Sequence, residues 1–477
     1  MMSVRTWMTT CALAAGLAAP ALAQQPTQPA APAPAQPTPA AAAAADSGVL
    51  SSEGWNAQRV TLAQALEMAR ANNPLQVQAQ ENVRVANMGR LQAIGSYLPT
   101  INANASSSKS SSQRPDYTGA IVSAPSDVSS LGISANLNLF TGFQRGAQRR
   151  LANATADLDR AALVGQTYAT DLATKQAFFN ALATQELVGV SQANVAQTEQ
   201  QLKLTAEKLR LGATTRSDSL TASVAYGTAE VQLIQARANA LTAQANLARA
   251  IGAAGLAAPV RDPTLEIRLV SLDTAALRRE AEANAPSVLQ ATASVAAARA
   301  SQSASRSSLW PTISLSASDR WSGQLLFPWS AAPINTTTGL PTQKYLGSWN
   351  VGLSVSYPLF NGFQREAGMV VADANVRTSE ARLRDAQLAL DASLTQDLTA
   401  LQAAGAQIDV SRTSVAAAEE ALRMQQERYR LGAATIVDLL TAETALNQAQ
   451  VSLVQSRYSY LIARAQLEAL VGHALAE

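Results

Sequence analysis

The sequence has one histidine and one cysteine in 477 residues. Thiol nucleophiles with a base, zinc sites and disulfide frameworks all need more of these residues. No phosphate-binding loop is present, and the formal net charge of +2 comes from 36 basic and 34 acidic residues spread along the chain. The sequence therefore favours neither an enzyme, nor a cofactor or metal protein, nor a nucleic-acid-binding protein.

The amino-terminal segment is typical of a secretory signal peptide. Arg5 precedes an apolar stretch that ends in a small-x-small pattern, with Ala21 and Ala23 as the small residues. We predict residues 1–23 to be removed, which also removes the single cysteine, and we therefore expect no lipid anchor. Residues 24–53 are rich in Pro, Ala, Gln and Thr and predict a disordered leader. Beyond the leader, no apolar run reaches the roughly 18 residues that a membrane helix needs.

Most of the remaining chain consists of two similar sequence repeats. The repeated marks lie 220 residues apart: Arg210-Leu211-Gly212 and Arg430-Leu431-Gly432, Asp218 and Asp438, Ile251-Gly252 and Val471-Gly472. We predict one structural repeat over residues 54–260 and a second over residues 261–477, each containing a helix, two strands and a long helical hairpin. Such a duplication favours a pseudo-symmetric assembly over a single catalytic pocket.

Proline placement predicts the helical hairpins. The chain has no proline between Pro125 and Pro259 and none after Pro358. In the first of these regions we predict a helix over about residues 142–209, which at 1.5 Å per residue is about 100 Å long, and a second helix that returns to Ile251. Leucine or tyrosine recurs every seven residues in the last helix, which is typical of a coiled-coil seam.

The turns of both hairpins carry the same helix-end signals. Gly212 and Gly432 fit the left-handed position that follows a helix. Three residues later a threonine begins a capping-box pattern that ends on Asp218 in the first hairpin and on Asp438 in the second. Both aspartates are therefore predicted to cap the returning helices.

Four segments alternate apolar and small polar residues, as strands do: residues 101–105, 131–139, 313–317 and 351–357. Strands of about ten residues can cross a bilayer when tilted, but a soluble two-faced sheet would alternate in the same way. We interpret the segments between the paired strands, residues 106–130 and 319–347, as polar loops.

Four strands leave two open edges, which hydrocarbon does not tolerate, and four strands cannot close a barrel. The chain must therefore oligomerise if the strands span a membrane. A dimer would have eight strands and a filled interior, whereas a trimer would have twelve strands and a water-filled lumen. Polar side chains would line that lumen: Asn102, Asn104, Asn136 and Asn138.

Aromatic residues cluster near the ends of the second pair of strands: Trp321, Phe327, Trp329, Tyr345 and Trp349. A girdle at the membrane interface explains them without a ligand site.

Several motifs occur in a fixed order: Leu62-x-x-Ala65-Leu66-x-x-Ala69 before Asn73-Pro74, Leu98-Pro99-Thr100-Ile101, Tyr357-Pro358-Leu359-Phe360-Asn361-Gly362, and Tyr429-x-Leu431-Gly432-x-x-Thr435-x-x-Asp438-Leu439-Leu440-x-Ala442. With these motifs the chain resembles the TolC family of outer-membrane channel proteins over about residues 60–472. The resemblance implies an α+β membrane protein of Gram-negative cells, with long antiparallel helical hairpins and four transmembrane strands per chain.

The same resemblance implies a homotrimer with a twelve-stranded barrel in the outer membrane and a helical tunnel in the periplasm. Its implied partners are outer-membrane lipid, a periplasmic adaptor, and an inner-membrane transporter driven by ATP (an ABC transporter) or by protons. The implied function is an exit duct for type I protein secretion or drug efflux, and the expected absence of a lipid anchor is more similar to the secretion branch.

Carried over by position, the resemblance puts the adaptor-docking tips at six residues: Arg210, Leu211, Gly212, Arg430, Leu431 and Gly432. It puts the periplasmic aperture at Asp218, Asp438 and Thr441. Helix capping alone would also explain both glycines and both aspartates, so each role stays open. The family's well-known member has a second acid and a basic residue where this chain has Thr441 and Ala434, which implies a less tightly latched gate.

A protein of another class would also fit the coiled-coil pattern. A secreted scaffold or surface adhesin could assemble through such helices without conducting anything. The alternating strands and their coupling to the Leu-Phe-x-Gly junctions argue against this alternative.

Overall fold

The computed structural model describes residues 57–115, 117–261, 273–323, 337 and 346–475. These residues belong to one compact unit, Val49–Glu477. The predicted signal peptide and nearly all of the predicted leader belong to the other unit, and both lie outside the described residues.

Two helical hairpins and a four-stranded sheet make up most of the described structure. The helices are α1 (Leu62–Asn72), α2 (Pro74–Gly95), α3 (Gln144–Arg210), α4 (Arg216–Ala250), α5 (Thr274–Asn284), α6 (Pro286–Ser305), α7 (Gln364–Arg430) and α8 (Ile436–Val471). The strands are β1 (Ala57–Val60), β2 (Thr100–Pro115), β3 (Ile121–Thr141), β4 (Leu256–Pro259), β5 (Thr312–Gly323) and β6 (Leu346–Ser356).

The predicted long helices are confirmed to within about two residues. Helices α3 and α7 have 67 residues each, which corresponds to about 100 Å. The element order is the same in both halves: two short helices, two strands, a long helix and a returning helix. The boundary between residues 260 and 261 stays a prediction.

Strands β2, β3, β5 and β6 form one antiparallel sheet in that order. Apolar residues lie opposite one another across all four strands, for example Ile101, Ala135, Ala317 and Val351. The alternate positions hold small polar residues, so the sheet has one apolar and one polar face. The four predicted strands are thus confirmed.

The predicted loop over residues 106–130 is wrong for most of its length. Strand β2 continues to Pro115 and β3 begins at Ile121, so only a short connection separates them. The serine-rich sequence does not alternate, but the backbone ladder does not depend on alternation. Serine hydroxyls also bond across it, with Ser106 Oγ 2.8 Å from Ser130 Oγ.

The second predicted loop, residues 319–347, is also partly wrong. Strand β5 continues to Gly323 and β6 begins at Leu346. Residues 324–336 and 338–345 lie outside the described residues, and so do three of the predicted girdle aromatics: Phe327, Trp329 and Tyr345. Trp321 and Trp349 lie in β5 and β6 near this end of the sheet.

The helices form a ribbon that is also four elements wide. Near the sheet, neighbouring helices follow the order α2, α3, α6, α7, and near the hairpin turns the order is α4, α3, α8, α7. Helices α3 and α7 run through both levels. Within the described part of the chain, no helix combines the length and hydropathy of a membrane span.

Two clusters of buried side chains hold the middle of the ribbon together. The first contains Phe178, Leu247 and Ile251 with Val60 of β1, which pairs in parallel with β4. The second contains residues of α5 to α8: Leu277, Val288, Leu394, Ile408, Tyr460, Leu467 and Val471. Burial of this kind contributes about 25 cal/mol per Å² of apolar surface.

The two repeats also share a closely packed glycine at the end of each returning helix. Gly252 and Gly472 have φ values of +70° and +82°. A Cβ atom at Gly252 would lie 2.6 Å from the carbonyl oxygen of Asn72, and one at Gly472 would lie 2.7 Å from that of Asn284. Only glycine meets both the backbone and the space requirement at these two positions.

Candidate functional site

Both hairpin turns have the predicted left-handed glycine. The φ values of Gly212 and Gly432 are +72° and +75°. The N–H of Ala213 donates to the Lys208 carbonyl at 2.8 Å, a bond typical of a Schellman motif, and the second turn repeats it. A Cβ atom at either glycine would meet nothing within 4 Å, so the backbone conformation alone requires glycine here.

The side chains at the turns extend away from the protein. Leu211 is 75% exposed and Leu431 is 74% exposed. Arg430 forms an ion pair with Glu427, whose Oε2 lies 3.0 Å from Arg430 Nη2. Each tip thus presents a leucine between an arginine and a glycine, and no described element covers it.

The two aspartates cap the returning helices, as predicted. Thr215 N donates to Asp218 Oδ2 at 3.1 Å, and Asp218 N donates to Thr215 Oγ1 at 3.2 Å. Thr435 and Asp438 form the same reciprocal box. This geometry accounts for capping and leaves the aperture role as a prediction.

The same hydrogen bonds keep both carboxylates ionised. The Thr214 hydroxyl, followed by the Thr215 hydroxyl and N–H, lowers the pKa of Asp218 below its ordinary value. The pKa of Asp438 is lowered by the N–H and the hydroxyl of Thr435, with a smaller contribution from Arg428. Asp438 is exposed and Asp218 is half-buried at the first turn of its helix, so both carboxylates place negative charge at the tips.

Residue 441, predicted at the aperture, is used within its own helix. The Thr441 hydroxyl donates to the Val437 carbonyl at 2.8 Å, and the residue is exposed. Close to Asp438, Arg428 contributes positive charge and donates to the Ala433 carbonyl at 3.4 Å. Arg428, one turn before the tip, therefore places a positive charge near Ala434, the position where the family's well-known member has a basic residue.

One side chain connects the two hairpins near their tips. Lys208 Nζ of α3 lies 4.0 Å from the centroid of the Tyr429 ring on α7 and donates to the Tyr429 carbonyl at 3.4 Å. Tyr429 is buried against Leu422, Ile436 and Leu439. A cation–π contact of this kind contributes about 0.5–2 kcal/mol.

A buried glutamate on α8 escaped the sequence analysis. Glu443 is 6% exposed, and its Oε2 has no hydrogen-bond partner within the described structure. Burial raises the pKa of its carboxyl group, and Gln197 of α3 acts in the opposite direction. The sequence held a signal, because position 443 lies on the same helical stripe as Leu439 and Leu446 of the seam.

The aromatic contacts at the junction between sheet and helices also escaped the sequence analysis. The rings of Phe140 and Phe143 are 5.3 Å apart edge to face, and Trp310 lies 5.5 Å from Phe143. The second repeat pairs Phe360 and Phe363 at 5.6 Å. The repeated Leu-Phe-x-Gly-Phe sequence was the available signal.

Both junctions hold a phenylalanine in a costly backbone conformation. Phe143 and Phe363 have φ values of +67° and +64°, and they are 65% and 69% exposed. A left-handed conformation costs a non-glycine residue of order 1–3 kcal/mol. Because both repeats retain this conformation, we infer that the position of the exposed phenylalanine ring has a structural or functional role.

In the described part of the chain, no cluster of three or more His, Cys, Asp or Glu residues could hold a metal ion. The distinctive features are instead the two-faced sheet, the aromatic junctions and the paired hairpin tips. This combination of features defines an outer-membrane channel fold.

The chain belongs to the outer membrane efflux protein family, whose profile matches residues 65–253 and 277–473. It is 25% identical over 416 residues to the outer membrane efflux protein BepC of Brucella suis biovar 1, which covers 84% of this chain and 83% of BepC. It is 27% identical over 321 residues to the outer membrane protein TolC of Escherichia coli K12, which covers 64% of this chain and 63% of TolC.

Solved structures agree on the fold. The CmeC outer membrane channel of Campylobacter jejuni superposes with a TM-score of 0.70 at 15% identity, covering 86% of this chain and 85% of CmeC. The fold class predicted from sequence is therefore confirmed, and the protein is an outer-membrane protein of an export channel family.

Glu443 generates a prediction about pH. Its pKa is raised in the folded protein, so folding is penalised once the unfolded chain ionises, and stability falls as pH rises above about 4.5. We expect Glu443→Gln to melt at the same temperature as the parent protein at pH 4 and at a higher temperature at pH 8, measured by circular dichroism.

The matched control for this prediction is Glu419→Gln, which removes an exposed carboxylate from α7. It should melt like the parent protein at both pH values. An equal gain in the control, or no gain in Glu443→Gln at pH 8, would contradict the assignment.

Proposed function

We propose that three copies of this chain form an outer-membrane channel that continues as a helical tunnel in the periplasm. Three four-stranded sheets would close a twelve-stranded barrel, and the hairpins would form the tunnel wall. The channel would be the exit duct of a tripartite system for type I protein secretion or drug efflux.

The observation that carries this proposal is the pair of open edges. Among the described strands, β2 and β6 each pair on one side only. Backbone groups left unpaired in hydrocarbon cost several kcal/mol each, so the β6 edge of one copy has to pair with the β2 edge of the next. Closure after three copies leaves room for a lumen, whereas two copies would not.

The helices support the same closure. Their exposed large apolar side chains lie mainly on the edge helices α2, α4 and α7: Leu75, Val77, Val85, Met88, Leu91 and Ile94 on α2; Leu220, Val224, Val231 and Ile234 on α4; Val370, Val371, Leu388, Val410 and Met424 on α7. Exposed apolar surface of this extent is typical of an interface between subunits.

The two faces of the sheet support a lipid-facing exterior and a wet interior. Trp349, Val351 and Leu353 are exposed on the apolar face. Asn102 and Asn136 lie on the polar face, where they would line the lumen. A secreted coiled-coil scaffold gives no reason for a broad exposed apolar sheet, so the channel is the better explanation.

Assembly and conduction are tested together. We expect the mature protein, extracted from outer membranes in mild detergent, to have the mass of a trimer by light scattering and to conduct ions in planar bilayers. The protein would be a scaffold if trimers conducted nothing. A monomer with native circular dichroism would reject the assembly.

The hairpin tips are the proposed docking site for a periplasmic adaptor, which would link the channel to an ABC or proton-driven transporter. The exposed Leu211 and Leu431 beside Arg210 and Arg430 support this role, because an apolar group with a neighbouring cation suits a protein contact. The turn holds these side chains in a fixed direction.

Replacing both tip glycines tests the docking role. Valine at positions 212 and 432 opposes positive φ, so Gly212→Val with Gly432→Val should cost more than about 1 kcal/mol locally and reduce adaptor crosslinking and export together. Trimers should persist because the sheet is remote from the tips.

Asparagine is the matched control at the same two positions, since it tolerates the left-handed conformation. Gly212→Asn with Gly432→Asn should retain crosslinking and export. Unchanged export in a stable valine variant would remove the docking role and leave the glycines as helix caps.

Asp218, Asp438 and Thr441 are the proposed lining of the periplasmic aperture. In a trimer, three copies of each aspartate would surround one axis. Two carboxylates about 6 Å apart repel by about 3 kcal/mol at an effective dielectric of 20, and by less than about 1 kcal/mol in water. A narrow ring would therefore favour cations.

The aperture is tested by changing Asp218→Asn and Asp438→Asn together, which removes six charges from a trimer and retains some capping ability. We expect lower cation selectivity and weaker block by divalent cations, with little loss of trimer. The control Asp157→Asn with Asp385→Asn removes as many charges from the first third of α3 and α7, far from the tips. Reversal potentials equal to those of the parent protein would mean that the tip aspartates only cap helices.

A further inference from the structure

Arginines gather where the sheet meets the helices. Six of them form what we call the arginine collar: Arg90, Arg145, Arg149, Arg150, Arg306 and Arg365. They come from the end of α2, the start of α3, the turn after α6 and the start of α7. In the segments that form this level, residues 85–99, 140–156, 300–311 and 357–370, the only acidic residue is Glu366.

The charge of the collar is largely uncompensated within the described structure. Arg149 and Arg150 are exposed and form no ion pair with a described residue. Arg145 donates to the Leu139 carbonyl at 2.7 Å, and its guanidinium lies 4.8 Å from the Tyr97 ring centroid. Three arginines in the first two turns of α3 also oppose the positive end of the helix dipole. An external anion would relieve this repulsion.

A groove joins the collar to the aromatic junction. Its volume is about 420 Å³, and it is lined by Tyr97, Phe140, Thr141, Phe143, Arg145, Gly146 and Arg150. A β-bulge follows Asn138, so that Phe140 pairs with Ile313, which in turn pairs with Val355. The groove therefore continues the apolar face of the sheet and not its polar face.

We propose that the arginine collar binds the phosphate headgroups of anionic phospholipids in the periplasmic leaflet of the outer membrane. The acyl chains would lie along the apolar face, while Phe140 and Phe143 would occupy the boundary between chains and headgroups. The collar lies on the helical side of the sheet, so the headgroups it meets are periplasmic. This assignment rests on the proposed function for the orientation of the sheet in the membrane.

Two exposed arginines allow a test that spares the fold. Arg149→Gln with Arg150→Gln removes two charges without removing a hydrogen bond or ion pair to a described residue. The matched control is Arg382→Gln with Arg384→Gln, which removes two exposed arginines from α7 about 25–30 Å from the start of that helix. Native mass spectrometry of detergent-purified protein would measure retained phosphatidylglycerol against phosphatidylcholine.

We expect the parent protein and the control to retain phosphatidylglycerol preferentially, and the collar variant to lose about fivefold of the preference per arginine. This factor corresponds to about 1 kcal/mol for each basic residue at an anionic surface. The preference should also weaken with added salt.

Three results would overturn the proposal. The collar variant could keep the parental preference, or the control could lose it equally. The collar variant could instead fail to form the parental oligomer, which would make the groove a contact between copies of the chain. Light scattering and conductance on the same samples separate a failure of the lipid site from a failure of the channel, because the variant should assemble and conduct like the parent protein.

Discussion

The rest of the structure depends on the unpaired backbone groups of β2 and β6. A sheet edge in hydrocarbon has no water to satisfy its N–H and C=O groups, so the edges of a membrane sheet must meet one another. The ribbon of helices has the same width of four elements at both of its levels, and its edge helices carry the exposed apolar side chains. The sheet and both levels of the helical ribbon therefore have open edges on the same two sides of the chain.

The junction between sheet and helices has to reconcile two spacings. Neighbouring strands lie about 4.8 Å apart, whereas packed helices lie about 8–10 Å apart. Helix α3 nevertheless continues directly from β3 with only two residues between them, and both have positive φ values. The positive φ values of Phe143 and Phe363 occur where the spacing changes. In this conformation both phenylalanine rings are exposed at the junction, near its other aromatic and cationic side chains.

The sequence predicted features that depend on periodicity or on local turn chemistry. Proline-free length gave α3 and α7, and the Gly212 and Asp218 signals gave the turns, because helix ends are determined by nearby residues. Residues 106–115 were misread since a serine run has no period and its strand pairing comes from the neighbouring strand. Glu443 lies on the apolar stripe of Leu439 and Leu446, but it was missed because a glutamate is usually exposed and its burial here depends on packing beside Gln197 of α3.

The capping boxes of the tip aspartates are compatible with their proposed aperture role. A reciprocal capping box lowers the pKa of Asp218 and Asp438, so each carboxylate stays ionised to lower pH than a free aspartate would. A cap thus maintains the fixed charge that an ion-selective ring needs. The two copies differ beside it, because Lys208 reaches across to Tyr429 whereas Arg428 contributes charge near Asp438. The duplicated tips are therefore alike in backbone and unequal in electrostatics, and a ring built from both would alternate between a more and a less compensated carboxylate.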